Sequence, residues 1–196
     1  MLPNRRLILA SRSPRRRLLL QQIGLAFEVR ESGVEEDGLD GAHPEEYVIS
    51  LSRRKAAAVA AVTKDAIVIG SDTIVVIDGH VLNKPEDEED AVRMLTMLSG
   101  RTHTVYTGFT IWDAPSGASY SDVEKTSVTF RVLGDEEIRR YVRSGSPMDK
   151  AGAYGIQDDF GAVFVERIDG CFYNVVGFPL SKFYSAFEMF QQRLSK

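Results

Sequence analysis

Ala66-Ile-Val-Ile-Gly-Ser-Asp-Thr-Ile-Val-Val-Ile77 is the stretch on which the fold turns. It is β-branched and nearly continuous in apolar residues, the pattern of a strand buried on both faces. Asp78-Gly79 follows as a two-residue hairpin signal, and His80 to Leu82 reads as the strand that pairs back. A doubly buried strand with a hairpin partner calls for a sheet mixing parallel and antiparallel neighbours. One residue inside it is out of place. Burying Asp72 costs several kcal/mol unless a metal ion or basic groups pair with it. A structural aspartate tied to Lys or Arg is the competing reading.

Upstream, Leu7 to Ala10 is an apolar run of strand length. Ser13 then reads as an N-cap and Pro14 as the first residue of a helix that runs to Ile23 and stops at Gly24. Arg15 and Arg16 fall in its first turn, the wrong end for cations, at about 0.3–1 kcal/mol for each exposed charge. A bound polyanion reverses that sign, because first-turn N–H groups, the Ser11 and Ser13 hydroxyls and the guanidinium groups would converge on phosphate. A solvated basic turn is the plainer alternative. Ala26 to Arg30 reads as a strand, and Glu31 to Gly41 as an acidic loop. Glu35, Glu36 and Asp37 in that loop offer a second carboxylate for a hard divalent ion, although solvated acids account for them equally. Pro44 opens an Ala-rich helix to about Val62 that carries Lys55.

Downstream, Pro85 holds Lys84 extended. Asp87 caps a helix to Leu98, and Thr102 to Asp113 and Ser119 to Val132 are strands joined by Ala-Pro-Ser-Gly. Asp135 to Arg143 reads as a helix. Asp149 to Gln157 is a Gly-punctuated loop, in which Lys150 precedes Gly152 and Gly155 and Gln157 offers a base edge one donor and one acceptor. Ala162 to Ile168 reads as a strand. Pro179 starts a helix whose stripe of Leu180, Phe183, Tyr184, Phe187 and Phe190 is expected in the core. The sum is an α/β fold. His43, His80 and His103 show no ligand spacing, and there is no Walker loop, dinucleotide glycine fingerprint or nucleophile elbow.

The 196 residues, 43% hydrophobic and 27% charged, suit one domain or one domain with two lobes. A net charge of -4 and a pI near 5.5 disfavour a protein that coats nucleic acid and suit a local basic pocket for a small polyanion. Cys171 is the sole cysteine, so an intrachain disulfide and a cysteine zinc cluster are excluded and a cytoplasmic, reducing setting is expected. No export segment or membrane span is expected, since no apolar run reaches 18 residues.

Leu-Ala-Ser-Arg-Ser-Pro-Arg-Arg, Gly-Ser-Asp-Thr-Ile-Val, Asn-Lys-Pro, Asp-Lys-Ala-Gly-Ala-Tyr-Gly-Ile-Gln and Val-Val-Gly-Phe-Pro-Leu occur here in that order. In this the chain resembles the Maf family of nucleoside triphosphate pyrophosphatases, also called septum-formation inhibitors. The resemblance spans about Leu7 to Leu180. It implies a single Maf-like domain over 1–196, with an elongated mixed β-sheet flanked by helices and two lobes around a central cleft. It also implies hydrolysis of a nucleoside triphosphate to the monophosphate and pyrophosphate with Mg²⁺ or Mn²⁺, a nucleotide-pool-cleaning role and a link to cell-division arrest.

Carried over by position, the resemblance makes Asp72 the catalytic carboxylate, as proton acceptor or metal ligand, and Glu36 its acidic partner. Ser11, Arg16, Lys55 and Lys84 become phosphate and catalytic contacts, and Lys150 joins the substrate-binding set. Arg15, Thr73 and Gln157 match the branch acting on dTTP and UTP rather than the one acting on 7-methyl-GTP. Arg12, Arg17 and Arg54 depart from the family pattern. Asp72 and Thr73, as strand neighbours, face opposite sides, so a shared site requires a twist, an end or a bulge, for which Gly70 is the candidate. The nucleotide is the expected partner, with no nucleic acid and no membrane, and the apolar C-terminal stripe is a surface for a homodimer. Two other readings are a non-catalytic nucleotide- or partner-binding regulator of septum formation and a pyrophosphatase for ITP or XTP.

Overall fold

In the computed structural model, which describes residues 5–35, 43–157 and 160–195, the decisive run forms the 11-residue strand β3 (Ile67–Ile77). Strand β1 (Leu7–Leu9) pairs with it in parallel, Leu7 opposite Ile67 and Leu9 opposite Ile69, and β2 (Glu28–Val29) lies parallel outside β1. Strand β4 (His80–Leu82) returns antiparallel, Val75 opposite Leu82. The turn between them holds Asp78 and Gly79 at φ 51° and 79°, the two positive values a type I′ hairpin requires. Strands β5 (Thr102–Asp113), β6 (Ser119–Phe130) and β7 (Val165–Asp169) complete a seven-stranded mixed sheet in the order β2-β1-β3-β5-β6-β7, with β4 on β3. Helices α1 (Pro14–Gln22), α2 (Pro44–Ala61), α3 (Glu88–Leu98), α4 (Asp135–Val142), α5 (Phe172–Val176) and α6 (Leu180–Leu194) make the fold α/β, as expected.

Local chemistry sets the helix starts. The Ser13 side chain accepts from Arg16 N at 3.4 Å, with Pro14 at N1 of α1. The Asp87 carboxylate accepts from Asp90 N at 2.8 Å, and α3 then buries Ala91, Met94, Leu95 and Leu98 along one stripe.

The chain folds as two compact units. Unit 1 comprises Met1–Asp72, Thr107–Glu124 and Gly177–Lys196; unit 2 comprises Thr73–Tyr106 and Lys125–Val176. In unit 1, Ile8, Ala10, Ala56, Val59, Ala60, Ala66 and Val68 form one apolar cluster. Phe183 of α6 packs edge-on against Phe178 and Phe109 at ring distances of 4.8 and 5.6 Å and stacks on Phe187. Unit 2 has its own core, in which Val75, Leu95, Val105, Phe130, Tyr141, Tyr154 and Phe164 are buried together.

Three details differ from the expectations. Strand β7 begins at Val165 rather than Ala162, because Phe160–Phe164 forms a 3-10 turn. That turn sinks Phe164 against Tyr141 and Phe130, so the apolar run serves the core without pairing. Helix α5 was not anticipated; Asn174 anchors it, donating to Val105 O at 3.1 Å and Thr126 Oγ1 at 2.9 Å. Tyr184 is 45% exposed, because the buried stripe steps through Leu180, Phe183, Phe187 and Phe190 and leaves it at the edge. Leu180, Phe183, Phe187 and Phe190 are all buried, within unit 1.

Gly70 serves a close approach of two elements: a Cβ there would lie 2.2 Å from Ser52 O and 2.8 Å from Ala56 N of α2. Gly70→Ala therefore has to push α2 off β3. The expected cost is about 3 kcal/mol, read as a fall of roughly 6–12 °C in the thermal midpoint. An unchanged midpoint would show that α2 yields freely.

Candidate active site

The glycine contact brings one side chain of α2 onto β3. Lys55 and Asp72 are 6% and 5% exposed, and Lys55 Nζ donates to Asp72 Oδ1 at 2.7 Å. The ammonium is the compensation that Asp72 needs in order to be buried. The residue before Asp72 is fixed separately. Ser71 Oγ donates to Gly108 O at 2.9 Å, and the Ser71 carbonyl accepts from Arg16 Nη1 at 2.9 Å.

Arg16 is buried, and its guanidinium reaches three acceptors. Besides Ser71 O, Nη1 donates to Ser11 Oγ at 3.2 Å, and Nε donates to Gly177 O at 3.0 Å. The first-turn arginine thus ties together the segment after β1, the middle of β3 and the segment entering α6, all within unit 1. Its cation sits at the helix N-terminus because main-chain carbonyls, which carry partial negative charge, surround it. Ser11 Oγ also accepts from Ser13 N at 3.2 Å. Arg15 is half-buried, and Arg12, Arg17 and Arg54 are exposed. Arg54 Nη2 donates to Glu35 O at 3.2 Å, holding the start of the acidic loop on α2. Glu36, the expected acidic partner of Asp72, lies outside the described residues.

Unit 2 holds the remaining expected residues: Thr73 half-buried on β3, Lys84 exposed after β4, Lys150 buried and Gln157 exposed. Lys150 Nζ donates to Ser146 O at 2.7 Å, Asp149 Oδ1 at 2.9 Å and Ser146 Oγ at 3.1 Å, which closes the turn preceding the loop. Gly152 has φ 68°, and a Cβ on it would meet Val75 at 2.9 Å, so the absent side chain lets the loop pack on β3. Gly152 N donates to Asn83 O at 3.0 Å, joining the Gly152–Gln157 loop to the residue before Lys84.

Three contributors escaped the sequence reading. The Ser71 and Gly177 carbonyls are main-chain groups and leave no residue-type signal. His103 did leave one: it alternates with the inward residues Val105 and Thr107 on β5, which marks it as buried. Its Nε2 lies 2.8 Å from Tyr154 Oη, and its ring meets Phe130 and Tyr154 edge-on at 5.0 and 5.4 Å. Burial pushes its pKa down to about 3. An unfolded chain therefore binds a proton there near pH 6.5 that the folded chain refuses. Stability contributed by the neutral ring is whole above about pH 6.5 and drains away as pH falls toward 3. Between pH 6.5 and 5 the expected loss is about 2 kcal/mol, at 1.36 kcal/mol per pH unit. Denaturant melts at the two pH values test this, and His103→Leu should flatten the slope.

Comparison with known proteins identifies relatives over nearly the whole chain. Residues 6–190 match the family described as Maf-like protein. A dTTP/UTP pyrophosphatase of Pelotomaculum thermopropionicum is 51% identical over 176 residues, covering 90% of this chain and 92% of that one. Its counterpart in Salinibacter ruber is 51% identical over 178 residues, covering 91% and 87%. One in a Thermoanaerobacter species is 52% identical over 180 residues, covering 91% and 93%. Among solved structures, a HAM1 protein from Coxiella burnetii aligns with a TM-score of 0.44 at 11% identity, over 65% of this chain and 73% of that one. With the family match running over nearly all of its length and half of its residues shared with those relatives, the chain belongs to the Maf family.

Proposed function

We propose that the protein is a nucleoside triphosphate pyrophosphatase that hydrolyses dTTP and UTP to the monophosphate and pyrophosphate, clearing such nucleotides from the pool. The observation that carries this reading is the buried Lys55–Asp72 pair on β3 and α2, in a chain half identical to named dTTP/UTP pyrophosphatases. Water attacks the α-phosphorus, the bond to the bridging oxygen breaks, and pyrophosphate leaves. Asp72 takes the proton of that water. Lys55 holds the carboxylate in one orientation and keeps its charge compensated. Arg16 keeps the Ser71 carbonyl, and hence the backbone of Asp72, in place, while Ser11 and Arg15 lie where the triphosphate meets α1. Lys84 neutralises phosphate charge, and Arg15, Thr73 and Gln157 select the pyrimidine base.

A divalent cation fits the donor set in one specific form. Among the described residues no group of three or more His, Cys, Asp or Glu side chains is placed to hold a metal. Mg²⁺ or Mn²⁺ needs only one or two carboxylates when substrate phosphates and waters complete its shell, and Asp72, with Glu36 beside it in the family pattern, would hold it. When bound, it supplies charge neutralisation at the phosphate oxygens. Among the described residues no helix is long and apolar enough to cross a membrane, and the reading places the enzyme with its nucleotides in the cytoplasm.

The test is a pyrophosphate-release assay on purified protein over the common triphosphates and ITP, with Mg²⁺ and with Mn²⁺. kcat/KM for dTTP and UTP should exceed that for the purine triphosphates by at least ~10-fold, the scale of discrimination a few base contacts provide. Preference for ITP, or nucleotide binding without release, would overturn the assignment.

A further inference from the structure

The His103–Tyr154 pair of unit 2 is built at a cost. Both side chains are buried, and their single mutual hydrogen bond joins Nε2 and Oη at 2.8 Å. The neutral pair carries two polar hydrogens, one on the imidazole and one on the phenol. His103 Nδ1 has no hydrogen-bond partner among the described residues. If the phenol donates to Nε2, the imidazole proton sits on the unpartnered Nδ1. If Nε2 donates instead, Nδ1 is a bare acceptor and the phenolic hydrogen must look elsewhere. Replacing both partners of such a bond with apolar groups of similar shape is commonly neutral or stabilising. A core built for stability alone has no use for this pair.

What the bond does secure is a loop. Tyr154 is the one large side chain of Gly152–Gln157 sunk in the unit 2 core, with its ring 4.7 Å from that of Phe130. Just before it, Ala153 holds φ 62°, a left-handed conformation unfavourable for a residue with a Cβ. A backbone held there needs an anchor close by. Three residues beyond Tyr154 stands Gln157, exposed at the loop's end.

We propose that His103 and Tyr154 form a positioning pair that fixes the Gly152–Gln157 loop and, through it, the aim of Gln157 at the base of the nucleotide. The proposal deepens the reading of the chain as a dTTP/UTP pyrophosphatase and rests on it for the substrate. Neither residue touches the reacting atoms.

The decisive variant is His103→Leu with Tyr154→Phe, beside Tyr154→Phe alone and Gln157→Ala. The double variant should melt no lower than the parent at pH 7.5, and KM for dTTP should rise about tenfold with kcat within twofold. Once Gln157 is alanine, adding Tyr154→Phe should change KM no further, because residues acting through one contact are not additive. Amide hydrogen exchange of residues 149–157, read without nucleotide, should quicken at least tenfold in the double variant. A lower melting point with KM and loop exchange unchanged would reduce the pair to packing and overturn the proposal, as would full additivity with Gln157→Ala. If the parent protein releases no pyrophosphate from dTTP or UTP, the substrate assignment fails by itself. Loop exchange then decides the positioning role, with unchanged exchange overturning it.

Discussion

Asp72→Asn is expected to lower kcat for dTTP and UTP by about 10³-fold, within the 10²–10⁴ range for losing a positioned proton acceptor. KM should move only a few-fold, since the amide fills the same space. The substitution also strips Lys55 of its counter-charge at a site where both side chains are less than 10% exposed. A fall in activity alone would therefore mix lost chemistry with lost folding. The companion variant, Asp72→Asn with Lys55→Met, separates them by removing both charges. Its stability should recover to near that of the parent, because a matched apolar replacement of a buried ion pair is often neutral or better. Its turnover should not recover. If either variant keeps turnover within a few-fold of the parent, Asp72 is not the proton acceptor and the proposed chemistry is wrong.

The second large effect is on folding. Lys55→Met alone leaves the Asp72 carboxylate buried on β3 with its cation gone, and breaking one side of a buried pair costs about 3–5 kcal/mol. In a chain of 196 residues each kcal/mol lowers the midpoint by about 2–4 °C, so a drop of roughly 6–20 °C is expected. Turnover measured well below the new midpoint should also fall, because the carboxylate loses the ammonium that orients it. Lys55→Arg should not restore either property, since the planar guanidinium is larger than the slot vacated by an ammonium. A midpoint within 2 °C of the parent in Lys55→Met would show that the pair contributes nothing to the fold.

The elements that could be read from sequence are those decided within a few residues. The β3 run, the Asp78-Gly79 turn and the Ser13 and Asp87 caps each carry their cause locally, and each appears where that cause puts it. Asp72 was legible for the opposite reason, as the residue that local pattern could not explain. What escaped was set by distant partners. The packing role of Gly70 was hidden because the carbonyl of Ser52 that crowds it belongs to another element. The contacts of Arg16 with the carbonyls of Ser71 and Gly177 were invisible because main-chain groups have no signature in residue type. Residues 162–164 read as strand because an apolar run does not distinguish a strand from a tight turn that buries one ring. Sequence adjacency did show that Tyr154 and Gln157 share a loop; only coordinates show which side chain grips it.

Gly70 on β3 and Gly108 on β5 act together beneath α2. A Cβ at Gly108 would lie 2.5 Å from Val48 O, as one at Gly70 would lie 2.2 Å from Ser52 O. Val48, Ser52 and Ala56 are four residues apart and form a single ridge seated in that double notch. The ridge indexes the helix the way a key bitting indexes a lock, and Lys55 is cut into the same blade. Substitutions on the outer edge, where Arg53 and Arg54 are exposed, leave the indexing alone. Deleting or inserting one residue between Val48 and Lys55 rotates everything beyond it by about 100° and carries the ammonium off Asp72. Across descendants of this chain, that octet should drift in spelling while its length stays frozen.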